Sequence, residues 1–378
     1  MMHVLIAPNA FKNSLGAAEA AGAIREGLQQ SKLSCSTHCF PVGDGGDGTG
    51  ELILQHCDGI VVPAEVQDPL GRKIISSFGL MDNGKTAVIE MANASGLRLL
   101  KTNEADPLHA SSRGTGELIL HALDKEVKKI IICIGGSATV DGATGMLQAL
   151  GIGFLNKNGK ELDNLPEDLT GLDSIDESAV DKRIAGCEIV VLCDVENLLL
   201  GENGAAAVFG PQKGASPADV KKLEASLSVL RDVVLKQAGK DMGIIKHGGA
   251  AGGMAAGLAA LLNAELVNGI DHFLSLTGFD KAIGKADIVI TGEGSIDIQT
   301  LQGKGPYGVA KKAKQKGIPV IGLAGKVPPE ISAELQEYFN LLLSINHEPT
   351  DLLEALRNTR VNLTRTAKLV GDMLAMKK

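Results

Sequence analysis

Short apolar runs alternate along this chain with stretches whose apolar positions recur every three or four residues, a pattern that predicts strands and helices in turn. HVLIA, residues 3 to 7, is the first β-type run, and PNAFKNSLG then turns the chain into an alanine-rich helix with Ala17, Ala20, Ala21, Ile24 and Leu28 on one face. A second run, THCFPV, leads into the loop PVGDGGDGTG, after which Glu51 to His56 continue as a helix. The first 60 residues therefore read as a β-loop-α-β-loop-α unit. From Ile60 to Glu90 the texture changes to short strands and turns (VVPAEV, IISSFGL, KTAVIEM) of antiparallel type. A helical pattern follows from Gly114 to Lys125, then the strand KKIIICIG, the loop GGSATVDG, a helix through Leu150, and the strand EIVVLC ending at Asp194. Residues 156 to 184 lack a clean period and read as a long loop or excursion. Beyond them come a charged amphipathic helix from Pro217 to about Gln237 and the glycine turn HGGAAGGMAAGL, which opens a small-residue helix. The runs ADIVITG and IPVIGLAG then flank the helix GVAKKAKQK.

This alternation predicts an α/β fold in two domains. Residues 1–60 with 285–378 form a discontinuous outer domain, and residues 61–284 form a second α/β domain inserted into it. A length of 378 residues suffices for two ordinary cores. Apolar residues make up 44% without a run long enough to span a bilayer, and MMHVLIAPNAFK lacks the basic flank of a signal peptide, so a cytoplasmic protein without membrane contact is expected. The net charge of -8 is spread over interspersed acids and bases, which argues against nucleic acid as a partner and leaves assembly into a homo-oligomer open. The 6 cysteines include no CxxC pair, and buried thiols are expected rather than disulfides or zinc ligands.

Two glycine motifs invite a nucleotide reading, and their contexts treat it differently. GLMDNGKT, from Gly79 to Thr86, satisfies the P-loop pattern, yet Lys85 is followed by the strand-like TAVIEM instead of a helix, so Asp82-Asn83-Gly84 reads as a hairpin turn. Gly43 to Gly48 matches G-x-G-x-x-G between a strand and a helix, but Asp44 and Asp47 would repel a pyrophosphate, and carboxylates that bind Mg2+ or a hydroxyl suit the loop better. Four further small, polar loops, IGGSATVDGATG, CDVEN, HGGAAGG and TGEGSID, sit at strand ends or helix starts. Gly135, Gly136, Ser137 and Thr139 suit phosphate or carboxylate, while Asp44, Asp194 and Asp297 each follow a strand end, where α/β sheets bind ligands. Lys12, Arg113, Lys213 and Lys304 add positive charge in loops, although a solvated lysine is the favoured reading of Lys213 and Lys304, and His247 reads as a plain loop histidine. These parts suit metal-assisted chemistry on small anions. A nicotinamide-dependent oxidoreductase and a non-catalytic sugar-acid sensor stay open at this level.

In order along the chain, APNAFKNSL, PVGDGGDGT, SSRGTGELI, IGGSATVDG, CDVEN, FGPQKGA, GGAAGG and TGEGSID resemble the bacterial type I glycerate kinases over nearly the whole length. The resemblance implies two α/β domains, one Rossmann-like and one flavodoxin-like, with an interdomain active-site cleft, and transfer of a phosphoryl group from ATP, with Mg2+, to D-glycerate, generally giving 2-phosphoglycerate. Carried onto this chain, Lys12, Ser14 and Arg113 are expected to bind substrate, with Lys12 and Asp194 catalytic and Asp194 accepting the hydroxyl proton. Gly135, Gly136, Ser137, Gly252 and Gly253 are expected to cradle phosphates, and Asp44 and Asp297 to bind the metal. The chain departs from the family pattern at Asn9 and Ala10, where Asp and Ser are usual, at Ala143 in place of glycine, and at Ser295 in place of arginine.

Overall fold

In the computed structural model, which describes residues 1–376, the chain forms two compact units. One consists of Met1–Asp44 and the chain from Gly269 onward; the other is Gly45–Asn268. The first unit opens with β1 (Met2–Ile6), the helix Ala17–Gln29 and β2 (Cys35–Cys39). The second contains β3 (Ile60–Gln67), β4 (Lys73–Met81), β5 (Thr86–Glu90), β6 (Lys129–Cys133), β7 (Gly153–Asn156), β8 (Leu172–Asp176), β9 (Glu188–Cys193) and β10 (Glu265–Asn268). The chain returns to the first unit with β11 (Ile288–Ser295), β12 (Val320–Lys326) and β13 (Leu341–Ser344). The helix Thr49–His56 goes with the second unit because it packs on β4, β5 and β6, and the helix Gly269–Leu276 goes with the first because it packs on the helix Gly305–Gln315. Both divisions therefore fall earlier in the chain than residues 60 and 285.

The first unit is a parallel sheet in the order β13-β12-β11-β1-β2. From the central pair, β1 winds outward to β2 and β11 winds the opposite way to β12 and β13, so β1/β11 is a topological switch point. The core joins Val4, Ile6, Ile290 and Leu323 of the strands to Ile24 and Leu28 of the helix Ala17–Gln29 and to Leu363 and Val370 of the helix Thr359–Ala375. Those two helices cross closely at Gly27, where an added Cβ would lie 2.2 Å from the Thr364 carbonyl oxygen.

The second unit carries a mixed sheet in the order β10-β9-β6-β5-β4-β3, parallel from β10 to β5 and antiparallel from β5 to β3. Between β4 and β5, Asp82, Asn83 and Gly84 all have positive φ, and the Thr86 hydroxyl donates to Asp82 at 2.7 Å, so the P-loop pattern is a hairpin turn. The segment expected to be an excursion is in fact ordered. β7 and β8 pair antiparallel, and β8 and the turn Glu167–Gly171 pack on the helix Pro217–Ala238 with Leu165, Leu169 and Leu172 buried. All six cysteines are free thiols, with Cys133 and Cys193 buried and their acidity suppressed by that burial. Among the described residues no helix is long and apolar enough to cross a membrane.

The helix Ala17–Gln29 contains two glycines in opposite situations. Gly22 has nothing within 4 Å of an added Cβ, whereas Gly27 faces main chain. Gly22→Ala is therefore expected to stabilise the protein by up to about 1 kcal/mol through helix propensity. Gly27→Ala is expected to destabilise it by about 1–3 kcal/mol through overpacking. Denaturant unfolding of the two variants checks the opposite signs.

Candidate active site

In the first unit, functional groups gather at the carboxyl ends of β1 and β11, beside the switch point. Asn9 follows β1, and its N–H donates to the Gly292 carbonyl of β11 at 2.8 Å. Its side-chain Nδ2 donates to Asp44 Oδ2 at 2.8 Å, and the same oxygen accepts from the Gly305 N–H at 3.1 Å. Asp44 is thus a buried carboxylate at the N-terminus of the helix Gly305–Gln315, where the exposed N–H groups and the helix dipole favour negative charge. Glu293, only 8% exposed near the end of β11, accepts a hydrogen bond from the Thr300 hydroxyl at 3.1 Å. Burial, opposed by the Lys304 charge and reinforced by that of Asp44, pushes its carboxyl up to about 7; Lys12 also draws it down.

Two expected site residues of this unit, Asp297 and Ser14, have local roles in the fold, and a third, Lys12, is exposed. Asp297 caps the turn Ile298–Gln302, with Oδ1 accepting from the Gln299 N–H at 2.9 Å and Oδ2 3.4 Å from Ser295 Oγ. The Ser14 hydroxyl donates to the Leu356 carbonyl at 2.5 Å, tying the loop to the helix Leu352–Arg357. Lys12, between Phe11 and the left-handed Asn13, is exposed.

In the second unit the glycine loops after β6 and before the helix Thr49–His56 lie back to back. Gly135 N–H donates to Gly45 O at 2.9 Å, and a Cβ on Gly135 would sit 2.4 Å from Gly46 Cα. Glu90, the last residue of β5, accepts from the N–H groups of Gly48 (2.7 Å) and Gly50 (3.1 Å) at the start of that helix. Burial first, then the hydrogen bond and charge of Asp47, push Glu90 up to about 7, while the Gly48 hydrogen bond and Arg98 oppose the shift. Arg98 pairs with Asp47 at 2.6 Å.

The loop from Gly135 to Ala143 is held from several directions. Asp141, fully buried, accepts from the Ser112 N–H (2.9 Å) and hydroxyl (2.6 Å) and from the N–H groups of Ala143 and Gly145. Lys213 donates to Ser137 Oγ at 2.7 Å and to the Thr139 carbonyl at 2.6 Å. The favoured reading of Lys213 as a solvated side chain is corrected, since it is 2% exposed. The turn that carries it is drawn inward at the left-handed Gly214, where a Cβ would lie 2.2 Å from Ala105 O. Burial lowers its ammonium to about 7, with Asp141 pulling the other way. Gly252 and Gly253 are buried, and their missing side chains admit close packing: a Cβ on Gly252 would lie 2.1 Å from Thr139 O, and Gly252 O accepts from the Gly142 N–H. Arg113 starts the helix Arg113–Leu123 with Nε 3.4 Å from Glu117, and Asp194 follows β9, half-buried. His247, also buried, has Nδ1 2.6 Å from the Val195 carbonyl oxygen and a left-handed backbone.

The model of the glycerate kinase family matches residues 4–375. The chain is 43% identical to glycerate 2-kinase of Escherichia coli (strain K12), over 99% of this chain and 98% of that one. It is 42% identical to glycerate kinase of Bacillus subtilis (strain 168), over 100% and 99%. The chain belongs to the glycerate kinase family. The resemblance carried by the ordered motifs is thereby borne out, and membership makes the chain a kinase. A crystal structure described as glycerate kinase 2 from Salmonella typhimurium LT2 superposes with a TM-score of 0.81 at 41% identity, covering 99% of this chain and 98% of that chain, in keeping with an α/β fold.

Within this glycerate kinase family member, motif reasoning passed over Glu90, Glu293 and the burial of Lys213. The first two had a readable signal: each closes or nearly closes an apolar strand, TAVIE and IVITGE, where a charge is out of pattern.

Glu293 makes stability depend on pH. Its folded-state carboxyl is raised from the ordinary 4.5 to about 7, so the unfolded chain loses this proton first and the folded state is penalised progressively as pH rises through that window. Glu293→Gln removes the penalty. Its stability advantage over the parent, measured by denaturant unfolding, is expected to grow by on the order of 3 kcal/mol between pH 4.5 and pH 8. A difference that does not change with pH would show that Glu293 titrates normally.

Proposed function

We propose that this chain transfers the γ-phosphoryl group of ATP to D-glycerate, giving 2-phosphoglycerate and ADP, with Mg2+ as cofactor. The observation that carries the proposal is the near full-length similarity, at 41–43% identity, to proteins named glycerate kinase. The choice of the 2-hydroxyl follows the name of the Escherichia coli relative, glycerate 2-kinase.

Phosphoryl transfer asks for positioning and neutralisation of charge more than for covalent chemistry. In this reading Gly135, Gly136 and Ser137 bind phosphate oxygens, and Gly252 and Gly253 shape their loop by packing behind Thr139. Lys12 and Arg113 are the cations for the substrate carboxylate, and Ser14 orients the loop that carries Lys12. Asp194 accepts the proton of the hydroxyl that attacks.

The residues present fit Mg2+. Burial first, and then the nearby Asp44 charge, raise the cost of ionising Glu293, which is the kind of strain a divalent cation relieves. Among the described residues no group of three or more His, Cys, Asp or Glu side chains could hold a metal. Mg2+ is usually bound by one or two carboxylates together with substrate phosphates and water. Asp44 and Glu293 would hold it, with Asp297 reaching it through water. When bound, Mg2+ neutralises charge on the phosphates.

ADP release that requires both D-glycerate and Mg2+ is the expected activity. Asp194→Asn is expected to lower kcat by about 10²–10⁴-fold with little change in either KM, as for loss of a general base. Full kcat in that variant would remove the proton-acceptor role from Asp194.

A further inference from the structure

A lysine placed wholly inside a protein calls for an explanation, because removing an ammonium from water costs several kcal/mol unless a counter-charge is supplied. Lys213 has two neutral acceptors, Ser137 Oγ and Thr139 O, and among the described residues no carboxylate oxygen lies within the 4.0 Å of an ion pair. A methionine would fill the same space more cheaply. The fold nevertheless shapes the main chain around this side chain: Gly210 and Pro211 lead into the short turn Pro211–Lys213, and Gly214 leaves it in a left-handed conformation packed on Ala105.

The loop that Lys213 supports is itself incompletely satisfied. Gly135 N–H is used by Gly45 and Ala138 N–H by Ser95, but the N–H of Gly136 has no acceptor among the described residues. The Thr139 hydroxyl is buried and has no hydrogen-bond partner among them. Gly136, with φ of 72°, is the exposed apex of the turn. An exposed main-chain donor at Gly136, a buried hydroxyl without a partner at Thr139 and a buried lysine with no ion-paired carboxylate together make an arrangement that an anion completes.

We infer that Lys213 is the positioning residue of an anion site, its buried ammonium holding Ser137 and Thr139 in place and balancing from behind the charge of a nucleotide phosphate bound at the Gly136–Ser137 turn. The inference rests on the phosphate-binding role proposed above for this loop and adds to it the source of the charge. Asp141 is the charged group that bears on Lys213, and it is already spent on Ser112, Ala143 and Gly145. Because burial brings the free ammonium to about 7, a bound anion favours its protonated form, and nucleotide binding takes up a proton near and above neutrality.

The test is calorimetric titration of ADP into the full chain, its Lys213→Met variant and its Gly136→Val variant from pH 6 to pH 9. Comparing variant with parent cancels the titration of ADP itself. Lys213→Met is expected to weaken ADP about tenfold at pH 6, where the parent lysine is charged, and the loss is expected to shrink toward pH 9 to the part owed to the missing hydrogen bonds to Ser137 and Thr139. A purely structural lysine would give a loss that does not vary with pH, and that result overturns the inference. If Gly136→Val weakens ADP while Lys213→Met does not, the loop binds phosphate and only the role of Lys213 falls. If Gly136→Val binds ADP as the parent does, the phosphate reading falls and the inference with it. Should Lys213→Met fail to fold, the parent alone decides. At pH 8 the terminal phosphate of ADP is almost fully ionised, so titrations in two buffers of different ionisation enthalpy are expected to show uptake of a fraction of a proton, and zero uptake contradicts the inference.

Discussion

Asp44 holds its carboxylate out of water against two donors, the Asn9 amide and the Gly305 N–H, and the architecture of the first unit follows from keeping those donors in reach. Asn9 lies three residues beyond β1, and Gly305 opens the next α-helix after β11. They meet Asp44 because β1 and β11 are neighbours whose connections wind away in opposite directions, which opens the sheet at their carboxyl ends. A Cβ on Gly305 would lie 2.9 Å from the Asn9 side chain, so the helix can approach this close only as glycine. Glu293 is driven toward its neutral form first by its burial and then by the charge of Asp44, and Lys304 and Lys12 supply the opposing charge. Removal of the Asn9 amide or the Gly305 N–H would take a donor from a buried carboxylate, at a cost larger than the bond itself contributes.

The second unit meets the same constraint with different residues. Glu90 and Asp141 are buried carboxylates, each accepting main-chain N–H groups near a helix start, and Lys213 is a buried cation braced by neutral oxygens. Such groups are expensive to desolvate, and Glu90 at the end of β5, Asp141 in the loop after β6 and Lys213 braced against that loop are each held by main-chain or hydroxyl partners rather than by ion pairs alone. A kinase, which must place highly charged phosphates without reorganising its own dipoles during the reaction, uses this kind of preset electrostatics.

Much of this was legible in the sequence where local physics decides. The alternation of HVLIA, THCFPV, KKIIICIG, EIVVLC, ADIVITG and IPVIGLAG with amphipathic stretches gave the strands their positions, and Asp82-Asn83-Gly84 declared its turn despite the P-loop pattern. The segment from 156 to 184 was not legible, because Leu162, Leu165, Leu169 and Leu172 follow neither a strand nor a helix period, and the elements that carry Leu169 and Leu172 pack on the helix Pro217–Ala238 far along the chain. Gly252 and Gly253 resemble a phosphate cradle in one dimension, yet in three their missing Cβ atoms make room for Thr139 and Leu199. Glycine content alone does not distinguish close packing from ligand approach. The burial of Lys213 and Glu293 likewise depends on contacts between distant segments, and no local pattern encodes them.

The central claim is that the charges gathered at these strand ends serve phosphoryl transfer to glycerate. The most direct test is a ³¹P spectrum of the products formed from ATP and D-glycerate in the presence of Mg2+. The account predicts a new phosphomonoester resonance matching 2-phosphoglycerate, growing in step with ADP. A resonance matching 3-phosphoglycerate would contradict the proposed position of transfer, and ADP appearing with inorganic phosphate alone would contradict glycerate as the acceptor.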